Sequence, residues 1–250
     1  MDILGLFSND HPTLGISEIS RILGLNKGTV QGLVQTLLQG EFLQRDPDTR
    51  KYYLGSKVYE LGNTFARNLD INLKASNTAH RLSSAVESTV RVAIWDNLTV
   101  LVTLNAEPRY PALFSYHFGP RVPAYCTALG KALLSHIDSD ELETYFSQIK
   151  LVSFTPHTIT EKKQLLKELE ETRRRGYSIN REEHLLSRYG YAAPIFTRKG
   201  RLAASISIAG DPSRMTGPGS EQMIEELLKS ALEISGNMGF TPDRNRVFGK

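Results

Sequence analysis

Apolar residues in the first fifty-five positions recur in short bursts at helical spacing. Ile19, Ile22 and Leu23 predict a helix over 17–23, with the Ser17 hydroxyl as its N-cap. Val30, Leu33, Val34, Leu37 and Leu38 form one stripe on a second helix over 27–38, capped by Asn26. Lys27, Thr29, Gln31 and Gln35 are left on its opposite, polar face. A shorter helix is predicted over 2–7. After position 40 the period changes from helical to alternating: two short runs, 42–45 and 51–54, flank Asp46-Pro47-Asp48-Thr49, a strong turn sequence. The segment therefore reads as three short helices followed by a two-stranded wing.

Downstream, Val58, Leu61, Gly62, Phe65 and Leu69 predict an amphipathic linker helix over 56–72, whose apolar face is too narrow to build a core. A helix over 73–88 follows, then strands over 90–95 and 99–105 turning about Asp96-Asn97, and a third strand over 112–118. Helices are predicted over 128–136, 139–148 and 161–175, with Gly176 as the left-handed cap of the last. Strands over 190–197 and 202–209 precede a closing helix over 220–237. The pattern implies an α+β chain divided into 1–55, 56–72, 73–240 and a loose tail at 241–250. No internal repeat is visible.

Composition narrows the function classes. The chain has 250 residues, 40% hydrophobic and 23% charged, which is ordinary globular material. A single cysteine, Cys126, rules out an internal disulfide framework and any multi-cysteine zinc site, so a cytoplasmic protein is expected. No run of about 18 apolar residues is present, so no membrane partner is expected. The formal net charge of +3 is too mild to argue for nucleic acid by itself. Up to Ser56, five basic residues (Arg21, Lys27, Arg45, Arg50, Lys51) even fall short of six acidic ones (Asp2, Asp10, Glu18, Glu41, Asp46, Asp48).

What matters is clustering. Arg45, Arg50 and Lys51 share one hairpin beside the helix that carries Lys27, the local concentration that phosphate neutralisation requires. Ile19, Ser20, Leu23, Leu25, Val30 and Leu33 occupy the packing positions of a helix-turn-helix, with Gly24 in the turn. Gln31 and Gln35 stand one turn apart, and a glutamine amide can pair bidentately with adenine in the major groove. The bland alternative is a small helical bundle with no DNA role. Gly28 and Gly32 cut against a firm recognition helix, each costing roughly 1 kcal/mol against alanine.

Six ordered blocks carry a family resemblance. They are Ile3-Leu4-Gly5-Leu6-Phe7, Leu25-Asn26-Lys27-Gly28-Thr29-Val30, Arg45-Asp46-Pro47 through Tyr53-Leu54-Gly55, Thr127-Ala128-Leu129-Gly130-Lys131-Ala132-Leu133-Leu134, Arg175-Gly176-Tyr177-Ser178 with Glu182-Glu183-His184, and Ala192-Ala193-Pro194 with Ser205-Ile206-Ser207-Ile208-Ala209-Gly210. Over nearly its full length the chain resembles the IclR family of transcription regulators. The resemblance implies a winged helix-turn-helix followed by a GAF-like mixed sheet with flanking helices. It also implies operator DNA and a small organic acid as partners, a dimer through the DNA-binding half and a tetramer through the sensors.

The same resemblance implies an effector site in which a carboxylate meets backbone amides at Ala128 and Leu129, next to Thr127, where a helix start favours an anion. Asn180, Glu182, Gly190 and Ser207 would complete it. Asn180 stands at an acidic position of the family, Gly190 at a cysteine position and Ala209 at a serine position. Each change removes a polar group or charge, which predicts a larger, aromatic acid rather than a two-carbon one. For Ser207 and Asn180, ordinary strand and turn chemistry is the alternative.

Enzyme readings fit poorly. A phosphate loop at Gly130-Lys131 would need Gly in place of Tyr125 and Ser or Thr in place of Ala132. Cys126 with His117 or His184 lacks an identifiable orienting group, leaving a buried apolar cysteine as the simpler reading. Glu182-Glu183-His184 lacks a partner pair at ligand spacing, and Arg173-Arg174-Arg175 suits a helix C-terminus facing solvent. No catalytic residue, metal or cofactor is therefore expected. The competing classes are a hydrolase or transferase built on Cys126 or on 182–184, and a protein-protein adaptor.

Overall fold

A computed structural model describes residues 2–108 and 120–241, and the chain divides after Asn68 into two compact units. The strand predicted over 112–118, and all but the first residue of the predicted tail, lie outside the described residues.

The N-terminal unit contains a 3-10 turn Leu4–Leu6, helices α1 Ile16–Leu23 and α2 Lys27–Gln39, strands β1 Leu43–Arg45 and β2 Tyr52–Leu54, and helix α3 Ser56–Asn68. Where a helix is predicted over 2–7, only the 3-10 turn forms, because so few residues cannot offset the cost of helix nucleation. Helix α1 starts one residue before Ser17. Its N-cap is Gly15, whose N–H donates to Glu18 Oε2 at 2.7 Å, so a glutamate in the first turn does the work expected of the serine hydroxyl. Asn26 does cap α2, its Oδ1 accepting the Thr29 N–H at 2.8 Å. Ser20 closes the intervening turn by donating from its hydroxyl to the Leu25 carbonyl at 2.6 Å, while Gly24 caps α1 at φ 66°.

Ile3, Leu14, Ile19, Val30, Val34, Leu43 and Tyr52 form the core of this unit. Two predicted packing positions face solvent instead: Leu25 is 39% and Leu33 46% exposed. With Val30 and Val34 directed inward, the third position of the stripe lies too far round the helix to reach a core this small. Strands β1 and β2 pair antiparallel, and Leu14 adds a bridge to Tyr52 on the far side.

The C-terminal unit begins with α4 Asp70–Val86, so the predicted linker helix is interrupted at Leu69, which is extended and precedes a new helix. Strands β3 Thr89–Asp96 and β4 Thr99–Ala106 form a hairpin whose turn residues are Asn97 and Leu98, both at positive φ, one position later than predicted. Then come β5 Arg121–Val122, α5 Ala128–Leu134, α6 Ser139–Gln148, α7 Lys162–Arg175, β6 Ser178–Arg181, β7 Tyr189–Phe196, β8 Leu202–Gly210, α8 Pro212–Met215 and α9 Ser220–Asn237. Strands β5 and β6 and helix α8 are too short for periodicity to reveal. Six strands pair in the order β5-β4-β3-β8-β7-β6, and every pairing among the described residues is antiparallel, where a mixed sheet is predicted.

Alternation along the strands assigns the two faces. Val90, Val92, Ala193, Ile195, Ala204, Ile206 and Ile208 pack with Ala75, Ala79 and Leu82 of α4 and Leu227, Ala231 and Ile234 of α9. Ala93, Val100 and Ala192 face the other way, against Leu129, Ala132 and Leu133 of α5 and Leu165 and Leu169 of α7. Helices on both faces explain why β7 and β8 read as nearly continuous apolar runs. Among the described residues, no helix is long and apolar enough to cross a membrane.

Candidate functional site

In the N-terminal unit, burying Val30 and Val34 turns the opposite face of α2 to solvent, where Lys27, Thr29, Gln31 and Gln35 are all exposed. Gly28 and Gly32 lie on the same helix, and a Cβ added at Gly32 would meet nothing within 4 Å. The wing turn is built by Asp46, whose Oδ1 accepts the N–H groups of Asp48 and Thr49 at 3.0 and 2.7 Å. This holds Arg45 and Arg50 outward, with the Arg45 guanidinium 5.9 Å from the centre of the Tyr52 ring. Lys51 differs from the other two. Its ammonium pairs with Glu18 at 3.1 Å, so it ties the wing to α1 and would share its charge between that carboxylate and a phosphate.

In the C-terminal unit, direct pairing sets adjacent residues side by side on the sheet face beneath α5. One row is Thr89, Ala209 and Gly190; the next is Arg91, Ser207 and Ala192. Helix α5 is anchored over this face by two serine hydroxyls, Ser178 donating to the Ala128 carbonyl at 2.6 Å and Ser205 to the Leu129 carbonyl at 3.1 Å. Thr127 caps the helix, taking the Gly130 N–H at 3.2 Å, and the Lys131 N–H reaches the Thr127 carbonyl at 3.0 Å. The amides of Ala128 and Leu129 are thus the first-turn donors that the helix itself cannot use.

A cavity of about 110 Å³ opens beside that helix start. Thr127, Ala128, Leu129, Asn180, Gly190 and Ser207 all line it; Glu182 does not. The backbone at Glu182 turns to φ 60°, and its carboxylate accepts the Ser187 N–H at 2.7 Å, so it braces its own loop. Gly190 also departs from expectation. A Cβ there would come within 2.7 Å of the Ile208 carbonyl oxygen, so the glycine brings two strands close together rather than opening space for a ligand. The sequence reading missed Arg91, Glu107 and Arg188, which line the same cavity and are brought together only by sheet pairing and by the β6–β7 loop.

A buried charge network joins α5, α7 and the loop after β6. Lys131 is fully buried and pairs with Glu183 at 2.6 Å and with Glu168 at 3.6 Å; Glu168 also meets Arg175 at 2.6 Å. Burial works against a charge on Glu168, yet Lys131, Arg175 and Arg181 outweigh it and hold its pKa below the ordinary value. Glu183 thereby fixes the loop that carries Asn180, whose Oδ1 accepts the Glu183 N–H at 2.9 Å. The Gly-Lys pair of the α5 block is accounted for by backbone approach and ion pairing.

The residues weighed for catalysis are engaged elsewhere. Burial, followed by the nearby Glu183 charge, pushes the Cys126 thiol up to about 12, the reverse of an activated nucleophile. His184 stacks edge-on against Phe154 at 4.9 Å, and His117 lies outside the described residues. Arg173 donates to the Ser135 carbonyl at 2.6 Å, and Arg174 pairs with Glu171.

A winged helix-turn-helix followed, in the same chain, by a helix-covered sheet with a cavity lined by both polar and apolar side chains is the build of a one-component transcription regulator. Comparison with known proteins agrees. The model for the IclR helix-turn-helix domain matches residues 1–47 and that for the bacterial transcriptional regulator IclR C-terminal domain matches 63–236. The chain is 32% identical over 243 residues to the HTH-type transcriptional regulator KipR of Bacillus subtilis, covering 96% of each protein. The crystal structure of the Thermotoga maritima IclR is similar at TM-score 0.75 and 27% identity, over 96% of each chain. An IclR homolog from Microbacterium hydrocarbonoxydans, solved with 4-hydroxybenzoate, shares the fold at TM-score 0.79 and 22% identity, over 94% of this chain and 95% of that one. The chain belongs to the IclR family: it is a DNA-binding transcription regulator, not an enzyme.

Proposed function

We propose that residues 1–55 read operator DNA, that residues 73–240 bind a small organic acid, and that occupancy of the cavity changes operator affinity within a cytoplasmic homodimer or homotetramer. One observation carries this reading: Thr127, Ala128, Leu129, Asn180, Gly190 and Ser207, far apart in sequence, line a single cavity at the start of α5. The effector is a single-ring aromatic carboxylate. The 4-hydroxybenzoate bound by the Microbacterium homolog supports that choice, as do the apolar Val102, Val122 and Ile208 in this cavity wall. On the DNA side, Lys27, Arg45, Arg50 and Lys51 contact phosphates, while Thr29, Gln31 and Gln35 face base edges. A ligand shifts such an equilibrium only by as much as it prefers one state over the other. The test is a gel-shift titration against upstream genomic fragments at rising salt, with and without 4-hydroxybenzoate. Sequence-selective binding whose midpoint moves with the acid is expected. Absence of selective binding at low salt would overturn the DNA half of the reading, and a midpoint blind to every small acid the effector half.

A further inference from the structure

Glu18 stands where α1 meets the wing and is held from both sides. Its Oε2 accepts the Gly15 N–H at 2.7 Å, and its Oε1 accepts from the Lys51 ammonium at 3.1 Å. The first of these is a capping-box bond, which ties the carboxylate to the start of its own helix independently of Lys51. The Gly15 N–H, and after it Lys51, hold the Glu18 pKa below the ordinary value, so the group is charged at neutral pH. The ammonium and carboxylate side chains are 41% and 37% exposed, so the pair lies at the surface and adds little to stability. Its weight lies in the charge that α1 and the wing present together. We propose that Glu18 is a positioning residue that acts through Lys51 to restrain phosphate binding by the wing, keeping the sequence-independent affinity for DNA low.

Resting on the assignment of Lys51 to a DNA phosphate, the effect follows from distance. A carboxylate 3.1 Å from that ammonium lies well inside the roughly 8–10 Å over which physiological salt screens charge, so Glu18 and the phosphate repel each other. The phosphate also shares the ammonium with a carboxylate already beside it, so the contact releases less counterion than a free lysine would. Both effects act at the backbone and neither at a base edge, so they lower binding to every sequence alike. No surplus of positive charge dilutes them: up to Ser56, five basic residues stand against six acidic ones. A regulator that binds DNA too tightly stays in place when an effector removes a fixed factor of affinity, and a lowered baseline turns that factor into release.

The test is a salt titration of the full chain on a short duplex of scrambled sequence, followed by fluorescence anisotropy from about 50 to 200 mM salt. E18Q removes the charge and keeps an oxygen that can accept the Gly15 N–H, so the capping box survives. It should bind about three- to tenfold tighter at the low-salt end, with a log-log salt slope steeper by up to about 0.9, the share of one phosphate contact. Its melting temperature should match the parent's, as expected for an exposed pair. E18Q placed on K51M should gain clearly less than E18Q gains in the parent, because the carboxylate acts through that lysine. K51M alone should flatten the slope by less than Arg45→Ala does, since part of the Lys51 charge is already taken. The inference is overturned if E18Q binds no tighter than the parent, if its gain is undiminished on K51M, or if K51M flattens the slope as much as Arg45→Ala. If the parent binds no duplex even at low salt, the DNA reading itself fails and takes the inference with it.

Discussion

A Cβ placed on Gly130 would stand 2.2 Å from the Ala124 carbonyl oxygen, backbone against backbone, with no flexible atom able to give way. Gly130→Ala should therefore cost more than about 3 kcal/mol or prevent folding, read by urea denaturation. Its neighbour Lys131 is the fully buried cation facing Glu183 and Glu168. Lys131→Met should cost about 3–5 kcal/mol, because it strands a buried carboxylate rather than merely deleting a pair. Acid should act on the same network. The pKa of Glu168 is depressed in the folded state, so its contribution is present above the ordinary 4.5 and is lost as pH falls through the lower folded value. Denaturation midpoints should fall on acidification below that point, and a flat profile from pH 6 to 3 would count against the network. Cys126, with its thiol pushed up to about 12, should resist alkylation by iodoacetamide at pH 8 until the chain is unfolded. Lone letters revealed little of this: a glycine and a lysine inside an apolar helix gave no sign of which backbone or carboxylate they would meet.

Among the elements, α2 joins local stability to reading. Gly32 faces open space, so Gly32→Ala should stabilise the N-terminal unit by about 1 kcal/mol, seen as a rise in melting temperature. Gly28 lies 3.4 Å from Asn26 Oδ1 at its would-be Cβ, so alanine there should gain less, since it crowds the cap. On DNA the two classes of residue should separate. Arg45→Ala should weaken all sequences alike and flatten the salt dependence by about one unit of slope, whereas Gln31→Ala should relax preference at one base position. Helical spacing predicted this element to within a residue, because period and cap are both local. It mispredicted Leu33, because how far a stripe reaches depends on the size of the core it meets.

On the scale of the whole chain, two compact units with separate cores predict two transitions in calorimetry. An acid that binds the cavity should raise only the one belonging to the C-terminal unit, by about 2.7 kcal/mol at a hundredfold excess over Kd. A single transition that shifts as a whole would mean that the units unfold together.

By itself the sequence determined the α+β class, the order and type of nearly every long element, the winged helix-turn-helix and the family, because periods, caps and turns are properties of neighbouring residues. Through the family resemblance it also named six residues that line one cavity, Glu182 being the seventh and lying outside it. Only the tertiary structure decided which charged residues line the cavity. Arg91 and Ser207 become neighbours by pairing of β3 with β8, and Arg188 and Glu107 join them from a loop and a strand end that no period connects. Glu182 turned away and Gly190 drew two strands together for the same reason. Which side chains share a space depends on pairings between distant segments, and a residue's identity does not record its partners.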